Sequence, residues 1–363
     1  MKKINFYSGP AILPEEVLQQ AKEAIDDFAG TGLSILEISH RSKEFVKVMH
    51  DARALVKELM NLNDNYEVLF LQGGGSTQFC MVPMNLLNEN ETAGYLDTGQ
   101  WAHSAMEEAK LFGKVEVLGS SRESNYSFIP KLTNGEWQEA SCKCKYIHLT
   151  SNNTIYGTQL NPSYYSPLAT HHSLVVDMSS DIFSRQLDYS QFDLIYASAQ
   201  KNAGAAGTTI VVVKKNILGT VNRKIPKMLD YQVHINKESI HNTPSVFAVY
   251  VSYLTLLWIK KEGIANIEAR NIRKAKKLYD AIDASQIFEG MVAKEDRSLM
   301  NVCFKTKDVS LEKKFIEFCK QKNIVGIKGY RTVGGFRASL YNAMPESGVQ
   351  ELVNAIEDFE KLL

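Results

Sequence analysis

The chain has 363 residues, and this length favours two domains because a single hydrophobic core stops growing below this size. Its composition is that of a globular protein, with 44% hydrophobic and 23% charged residues. Basic and acidic residues number 41 each, and this zero net charge argues against a dedicated nucleic-acid binder, which carries a basic excess.

No segment indicates secretion or membrane insertion. The first six residues lack the apolar stretch of a secretory signal, and the most apolar run, residues 209–213, is too short to span a bilayer. The five cysteines are few and scattered, as in reduced proteins. Cys142 and Cys144 have no second cluster with which to complete a zinc site. We therefore expect a cytoplasmic protein without a membrane partner or a metal site.

Strand-like and helix-like patterns alternate up to Glu262. This alternation predicts βα units and an α/β fold with a mostly parallel central sheet flanked by helices. The predicted strands cover residues 67–72, 92–96, 114–118, 146–150, 174–177, 194–198 and 209–214. Helical periodicity is clearest over residues 14–28, 42–61, 77–87, 101–112 and 245–261.

The pattern changes after Gly263. Residues 264–284 predict a long, basic, amphipathic helix, and residues 348–363 predict a closing helix. Short strands are predicted between them, at residues 300–304, 325–327 and 337–341. We therefore predict a large domain of residues 16–262 and a smaller α+β domain of residues 263–363, which is a common domain size.

Three consecutive glycines, Gly73 to Gly75, separate a predicted strand from a predicted helix. Glycines let the backbone approach an anion, and the N-terminus of the helix offers unpaired N–H groups. The hydroxyls of Ser76 and Thr77 can also donate. The run matches neither a Walker loop nor a dinucleotide fingerprint, and a flexible turn remains an alternative.

Two ionisable residues follow neighbouring predicted strands. Asp177 ends an apolar strand, where a carboxylate would keep a cationic nitrogen protonated; an N-cap for the next helix is the alternative. Lys201 enters a segment of tiny residues that leaves room for a bulky group beside it. A desolvated amine with a lowered pKa is what imine formation needs, although an exposed loop lysine is also compatible with the pattern.

Arginines stand near both ends of the chain. Arg41 lies early, whereas Arg331 and Arg337 lie late and flank Gly334 and Gly335, which permit close approach of a ligand. The planar guanidinium binds carboxylate or phosphate in a bidentate manner. A surface salt bridge is the ordinary alternative for any single arginine.

Together these motifs resemble the aminotransferases of the aspartate-aminotransferase-like fold that depend on pyridoxal 5'-phosphate (PLP). From end to end the chain is most similar to the phosphoserine aminotransferase family. The resemblance rests on six segments in order, at residues 5–11, 37–45, 72–79, 199–207, 242–244 and 333–345. It implies a large PLP-binding domain, an N-terminal segment (residues 1–15) that packs with the small domain, and a homodimer with shared active sites.

The resemblance also implies the reaction. An amino group would pass between O-phospho-L-serine and 2-oxoglutarate, giving 3-phosphohydroxypyruvate and L-glutamate, as in serine biosynthesis. A second implied substrate is 4-phosphohydroxythreonine, in pyridoxine biosynthesis. Lys201 would hold the cofactor as a Schiff base and move the substrate proton. This residue is the expected catalytic group.

The remaining site residues are also implied by the resemblance. Asp177 would pair with the pyridine nitrogen, and Trp101 would stack on the ring. The other expected cofactor contacts are Thr154 and Ser179 at the ring substituents, Gly75, Ser76 and Gln200 at the phosphate, and Asn242 and Thr243 from a second subunit. The expected substrate-binding residues are Ser8, His40, Arg41, Tyr330, Arg331 and Arg337.

Two positions depart from the family pattern. Many members have arginine where Ser76 stands and histidine where Tyr330 stands, so each change removes a potential positive charge. A tyrosine hydroxyl can still donate one hydrogen bond. We expect a weaker grip on phosphate with the reaction retained.

Three other functions fit parts of the sequence pattern. An alanine–glyoxylate transaminase of the same fold would not need so many cations. A cysteine desulfurase needs a mobile cysteine, whereas Cys303 lies in a predicted strand and Cys319 in a predicted helix. A non-catalytic ligand sensor of this fold usually carries a DNA-binding module, for which the chain has no spare length.

Overall fold

A computed structural model describes residues 2–131, 141, 143–169 and 172–363. Cys142, half of the cysteine pair considered above, lies outside these residues. Within the described ranges, no group of three or more His, Cys, Asp or Glu side chains could hold a metal ion. A search of the same ranges also finds no helix long and apolar enough to cross a bilayer.

A seven-stranded sheet forms the centre of the molecule, in the order β2-β8-β7-β6-β5-β3-β4. Only β8 runs opposite to its neighbours. The mostly parallel sheet predicted from the sequence is thereby confirmed. Its strands are β2 (Tyr66–Leu71), β3 (Thr92–Asp97), β4 (Lys114–Ser120), β5 (Cys144–Thr150), β6 (Leu174–Asp177), β7 (Leu194–Ser198) and β8 (Thr209–Lys214), while β1 (Ile4–Asn5) lies outside it.

Helices cover both faces of this sheet because successive strand residues point to opposite sides. In β6, Val176 packs into one apolar core and Val175 into the other. The helices before Gly263 are α1 (Glu15–Asp26), α2 (Lys43–Leu59), α3 (Gly74–Leu86), α4 (Gln100–Ala109), α5 (Pro162–Ala169), α6 (Tyr231–Asn236) and α7 (Val246–Glu262). Helices α2 and α7 cover the first face, and α3 and α4 cover the second.

Helix α3 begins earlier than the periodicity predicted. The expected start was Thr77, but the helix starts at Gly74, so the glycines themselves form its first turn. Gly73 makes this possible with a φ of 92°, a left-handed conformation that favours glycine. A Cβ at Gly73 would lie 1.9 Å from the Thr77 Oγ1 atom, which excludes any larger side chain.

The last hundred residues surround a second sheet. It contains β9 (Phe288–Gly290), β10 (Asn301–Thr306) and β12 (Phe336–Ser339) in the antiparallel order β12-β10-β9. Its apolar core also takes side chains from the helices around it. These helices are α8 (Ile264–Ala284), α9 (Glu312–Gln321) and α10 (Glu346–Lys361).

The N-terminal segment packs with this second region. Strand β1 pairs in parallel with β11 (Ile324–Val325), and Phe6 is buried in the same core as Phe336. These contacts and the separate core support the predicted domain division. The division itself, with its boundary at Gly263, stays a proposal.

Candidate active site

A cavity of about 400 Å³ opens at the carboxyl ends of the central strands. This edge is where open α/β sheets bind their ligands. Asp177 ends β6, Ser198 ends β7, and α3 points its N-terminus into the same space. The predicted site residues that line the cavity are Gly75, Ser76, Trp101, Asp177, Ser179, Gln200 and Lys201.

The Lys201 side chain is partly buried, and its Nζ atom donates a 2.7 Å hydrogen bond to the Thr154 Oγ1 atom. Burial lowers the pKa of Lys201 to about 8, and the positive charge of Arg337 acts in the same direction. The carboxylate of Asp177 opposes this shift. An amine with this pKa is substantially neutral at mildly alkaline pH and can therefore act as a nucleophile or a base.

Asp177 is buried beside this amine. Its Oδ1 atom accepts a 2.8 Å hydrogen bond from the Ser179 backbone N–H. Burial raises the pKa of Asp177, whereas the hydrogen bonds from Ser179 and the charge of Lys201 oppose the rise. A carboxylate held in this way is suited to pair with a cationic ring nitrogen.

The first turn of α3 closes the opposite side of the cavity. The Gly75 N–H donates a 2.8 Å hydrogen bond to the Ser198 Oγ atom. A Cβ at Gly75 would lie 3.5 Å from the same oxygen and 3.6 Å from the Ser179 Oγ atom. The remaining N–H groups of this turn and the positive end of the helix dipole suit a bound phosphate.

Arg337, on β12, brings a positive charge to the site from the second sheet. Its Nη2 atom donates a 2.7 Å hydrogen bond to the Ser8 Oγ atom, and its Nη1 atom donates to the Thr154 carbonyl at 3.4 Å. The Nε atom is buried and has no hydrogen-bond partner among the described residues. Within those residues Arg337 also forms no ion pair, so its charge is available to a substrate carboxylate.

Nine predicted residues do not line the cavity in the single chain, although Ser8, Thr154 and Arg337 are linked to Lys201 through the hydrogen bonds described above. Arg41 and Arg331 are exposed, as is Tyr330 at 39%. The backbone of Thr243 accepts a 2.9 Å hydrogen bond from the Gln72 side chain, so this loop lies beside the start of the glycine turn. The roles of His40, Arg41, Asn242, Thr243, Tyr330 and Arg331 therefore stay predictions.

Sequence reasoning missed two polar residues that complete the site. Ser198 lies in the cavity and accepts from Gly75, and its position at the carboxyl end of a parallel strand could have revealed it. Asn202 is buried next to Lys201, and its Nδ2 atom donates a 3.0 Å hydrogen bond to the Ser180 carbonyl. No local pattern marks Asn202, because its partners are distant in sequence.

The comparisons with known proteins agree with this geometry. The family described as aminotransferase class-V matches residues 4–352. The chain belongs to the class-V aminotransferases. A curated phosphoserine aminotransferase of Flavobacterium johnsoniae is 54% identical over 364 residues, which cover 99% of both chains.

Two solved structures extend the likeness to the fold. The phosphoserine aminotransferase from Bacillus circulans subsp. alkalophilus is 42% identical, covers 99% of each chain and superposes with a TM-score of 0.93. A PLP-bound phosphoserine aminotransferase from Trichomonas vaginalis is 32% identical, with a TM-score of 0.88 over 98% of this chain and 100% of that one. Within class V, the chain therefore falls in the phosphoserine aminotransferase family.

Class-V aminotransferases depend on PLP, and the residues of the cavity fit this group. PLP has a cationic ring nitrogen, a flat ring, an aldehyde that reacts with amines and a phosphate. The cavity offers the buried carboxylate of Asp177, the amine of Lys201 and the N–H groups of the α3 turn. Trp101 adds a flat indole whose buried Nε1 atom has no hydrogen-bond partner within the described ranges.

Two of the cysteines, Cys303 and Cys319, do not offer an alternative chemistry. Cys303 and Cys319 are both buried, and burial raises the pKa of each thiol to about 12. Such thiols remain protonated and are poor nucleophiles. The desulfurase considered from the sequence would need a mobile, reactive thiolate that neither residue provides.

Proposed function

We propose that the protein catalyses amino-group transfer between O-phospho-L-serine and 2-oxoglutarate, giving 3-phosphohydroxypyruvate and L-glutamate, and that it serves serine biosynthesis. The observation that carries this proposal is the Lys201 amine, which has a lowered pKa and stands in a cavity between a buried carboxylate and a helix N-terminus. The substrate is proposed from the phosphoserine aminotransferases that share about half of the sequence.

Each residue would have a separate task. Bound PLP would supply the electron sink for the charge that develops when the substrate Cα atom loses a proton. Lys201 Nζ would remove that proton as a base and, as an acid, deliver it to the cofactor carbon bound to the amino nitrogen, which completes a 1,3-proton shift. Asp177 keeps the proton on the ring nitrogen, and Trp101 excludes water from one face of the ring. The groups that hold the ring substituents and phosphate are Thr154, Ser179, Gly75, Ser76 and Gln200.

Substrate anions would be held by cations from two parts of the chain. Arg337 takes the α-carboxylate, because its charge has no ion-pair partner among the described residues and lies next to Thr154 and Ser8. His40, Arg41 and Arg331 take the phosphate of phosphoserine or the second carboxylate of glutamate. Ser76 and Tyr330 add no positive charge, so the grip on phosphate is weaker than arginine and histidine at these two positions would give.

We also propose that the protein works as a cytoplasmic homodimer. Asn242 and Thr243 do not line the cavity of their own chain and would reach the cofactor phosphate of the partner's site. The phosphorylated intermediate 4-phosphohydroxythreonine would be a second substrate, because it carries the same amino acid and phosphate groups.

Lys201→Ala tests the catalytic assignment. Borohydride reduction of the PLP-loaded protein, followed by peptide mapping, is expected to place the cofactor on Lys201. Lys201→Ala should lose about a hundred- to ten-thousand-fold in phosphoserine-dependent glutamate formation. Lys313→Ala, at an exposed lysine, serves as the matched control and should retain full activity. A reduced cofactor found on another lysine would overturn the assignment, and equal turnover of serine and phosphoserine would overturn the substrate.

A further inference from the structure

A buried lysine outside the cavity holds the turn of residues 340–344, which joins β12 to α10. The Nζ atom of Lys274, on α8, donates to the carbonyl oxygens of Leu340 at 2.6 Å, Tyr341 at 2.8 Å and Met344 at 3.1 Å. An ammonium group has three N–H donors, and all three are used by this one turn. Lys274 is 1% exposed and forms no ion pair with any described residue.

The 340–344 turn contacts the active site at two points. The backbone N–H of Asn342 donates a 2.9 Å hydrogen bond to the side-chain oxygen of Asn202, the residue after Lys201. The hydroxyl of Tyr341 donates a 2.7 Å hydrogen bond to the carbonyl of Ser8. Ser8 in turn accepts from Arg337. The turn therefore supports both the backbone of the catalytic lysine and the partner of the substrate-binding arginine.

Helix α8 holds this turn with a second side chain. The Nδ2 atom of Asn271 donates a 2.9 Å hydrogen bond to the Oδ1 atom of Asn342 and another of 2.9 Å to the carbonyl of Ser184. Residues three apart lie on the same helical face, so Asn271 and Lys274 approach the turn side by side. The position of the turn relative to α8 is thus fixed by four hydrogen bonds from two residues.

We propose that Lys274 is a positioning residue for the transamination, acting through the 340–344 turn on Asn202 and Ser8. Removal of the ammonium group takes one donor from each of three carbonyls, of which only that of Tyr341 is given a further backbone donor, the Met344 N–H, among the described residues, so the turn must shift to find others. That shift would be passed to the backbone of Lys201 and to the Ser8–Arg337 contact. The catalytic meaning of the proposal rests on the proposed function, whereas the structural link from Lys274 to Lys201 does not.

The electrostatic surroundings of Lys274 agree with a group that holds rather than reacts. Burial lowers the pKa of Lys274 to about 7, the charge of Arg270 lowers it further, and that of Glu346 opposes the shift. Three carbonyl acceptors at hydrogen-bonding distance favour the charged form. The Lys274 side chain is 1% exposed, and its three N–H donors are all bound to carbonyl groups. A substrate therefore has no access to this amine.

The test compares Lys274→Met with Ile282→Ala. Ile282 lies two turns further along α8 and is buried in the apolar core of the second sheet, so its truncation lowers stability without removing a hydrogen-bond donor from the 340–344 turn. The first measurement is the pH midpoint of the visible absorbance of the PLP-loaded protein, which reports on the Lys201 environment. We expect Lys274→Met to shift this midpoint by about half a pH unit and kcat/KM to fall about tenfold. Ile282→Ala should leave both unchanged.

A double variant separates positioning from general stability. If Lys274 acts through Asn202, Lys274→Met combined with Asn202→Ala should shift the midpoint by less than the sum of the two single shifts. Lys274→Gln, which keeps an N–H donor, should show the same shift at a smaller size. Additive shifts, or a Lys274→Met midpoint equal to that of Ile282→Ala, would overturn the proposal. The absorbance midpoint requires only bound PLP. It therefore tests the role of Lys274 even if the wild-type protein does not turn over phosphoserine, a result that would count against the proposed function alone.

Discussion

The surroundings of the partly buried Lys201 and the buried Lys274 differ in one decisive respect. Among the described residues the amine of Lys201 has one hydrogen bond, to the Thr154 hydroxyl, and it lines an open cavity. The amine of Lys274 has three carbonyl partners, and Lys274 does not line this cavity. Burial lowers the pKa of both, to about 8 and about 7 respectively. A lowered pKa therefore does not by itself identify a reactive amine; free donors and access to a ligand do.

The difference extends to the charges nearby. The carboxylate of Asp177 raises the pKa of Lys201, whereas burial lowers it. The Lys201 amine can therefore gain and lose a proton. Lys274 has Arg270 and Glu346 as its charged neighbours, and their effects oppose each other. One environment suits a group that gains and loses a proton, whereas the other suits a group that keeps its contacts.

The largest expected effect is on stability, which should respond differently when the positive charge of each lysine is removed. Lys274→Met should lower the free energy of unfolding of the PLP-free protein by about 2–5 kcal/mol, because three carbonyls each lose the donor that Lys274 provides and only that of Tyr341 keeps a backbone donor in the described structure. Lys201→Met should be neutral or stabilising, because a buried charge with one hydrogen bond is replaced by an apolar chain. Urea unfolding of both variants beside the wild type gives the comparison. Equal losses of stability would show that the two environments do not differ as described.

The next effect concerns pH. Because the neutral amine reacts, the rate of PLP capture by the free protein should fall about tenfold for each pH unit below 8 and level off above it. In Asp177→Asn the carboxylate no longer raises the pKa of Lys201, so the pH midpoint of the capture rate should move to lower pH. Stopped-flow absorbance across pH measures it. Asp64→Asn, at a fully exposed carboxylate, is the control and should leave the midpoint in place. A midpoint that rises in Asp177→Asn would contradict the assignment of charges.

The sequence predicted the first of these lysines and not the second. Lys201, Asp177 and the glycine turn are each marked by a local pattern, a strand end followed by small residues, and parallel strands bring such ends together. Lys274 lies in a basic amphipathic helix, where a lysine is ordinarily solvated. Its burial depends on the 340–344 turn, 66 residues further along the chain at Leu340, so no window of sequence contains both. Asn202 was missed for the same reason.

The start of α3 shows a second limit. Periodicity located the helix from its apolar residues and placed its first residue at Thr77, because three glycines have no side chains to contribute to the pattern. The structure begins the helix at Gly74, and the N–H groups nearest the cavity belong to residues that periodicity cannot detect. The position of the glycine turn was predictable from the sequence, but its geometry required the positive φ of Gly73.

The smallest expected effect is at Ser8, where the two regions meet. Its hydroxyl accepts from Arg337 and its carbonyl accepts from Tyr341. Ser8→Ala removes only the first contact, so KM for phosphoserine and glutamate should rise about two- to tenfold with little change in kcat, as expected for about 1 kcal/mol of hydrogen bonding. Tyr341→Phe is the matched variant, because it removes the second contact and keeps the first. Steady-state kinetics on both substrates make the measurement.

These two variants also divide the route from Lys274 to the site. Ser8→Ala keeps the backbone carbonyl through which the 340–344 turn acts, so the absorbance midpoint of the PLP-loaded protein should not move. Tyr341→Phe breaks that contact and should move the midpoint in the same direction as Lys274→Met, by a smaller amount because the Asn342–Asn202 contact remains. A midpoint that moves in Ser8→Ala but not in Tyr341→Phe would mean that Arg337, rather than the turn, sets the environment of Lys201.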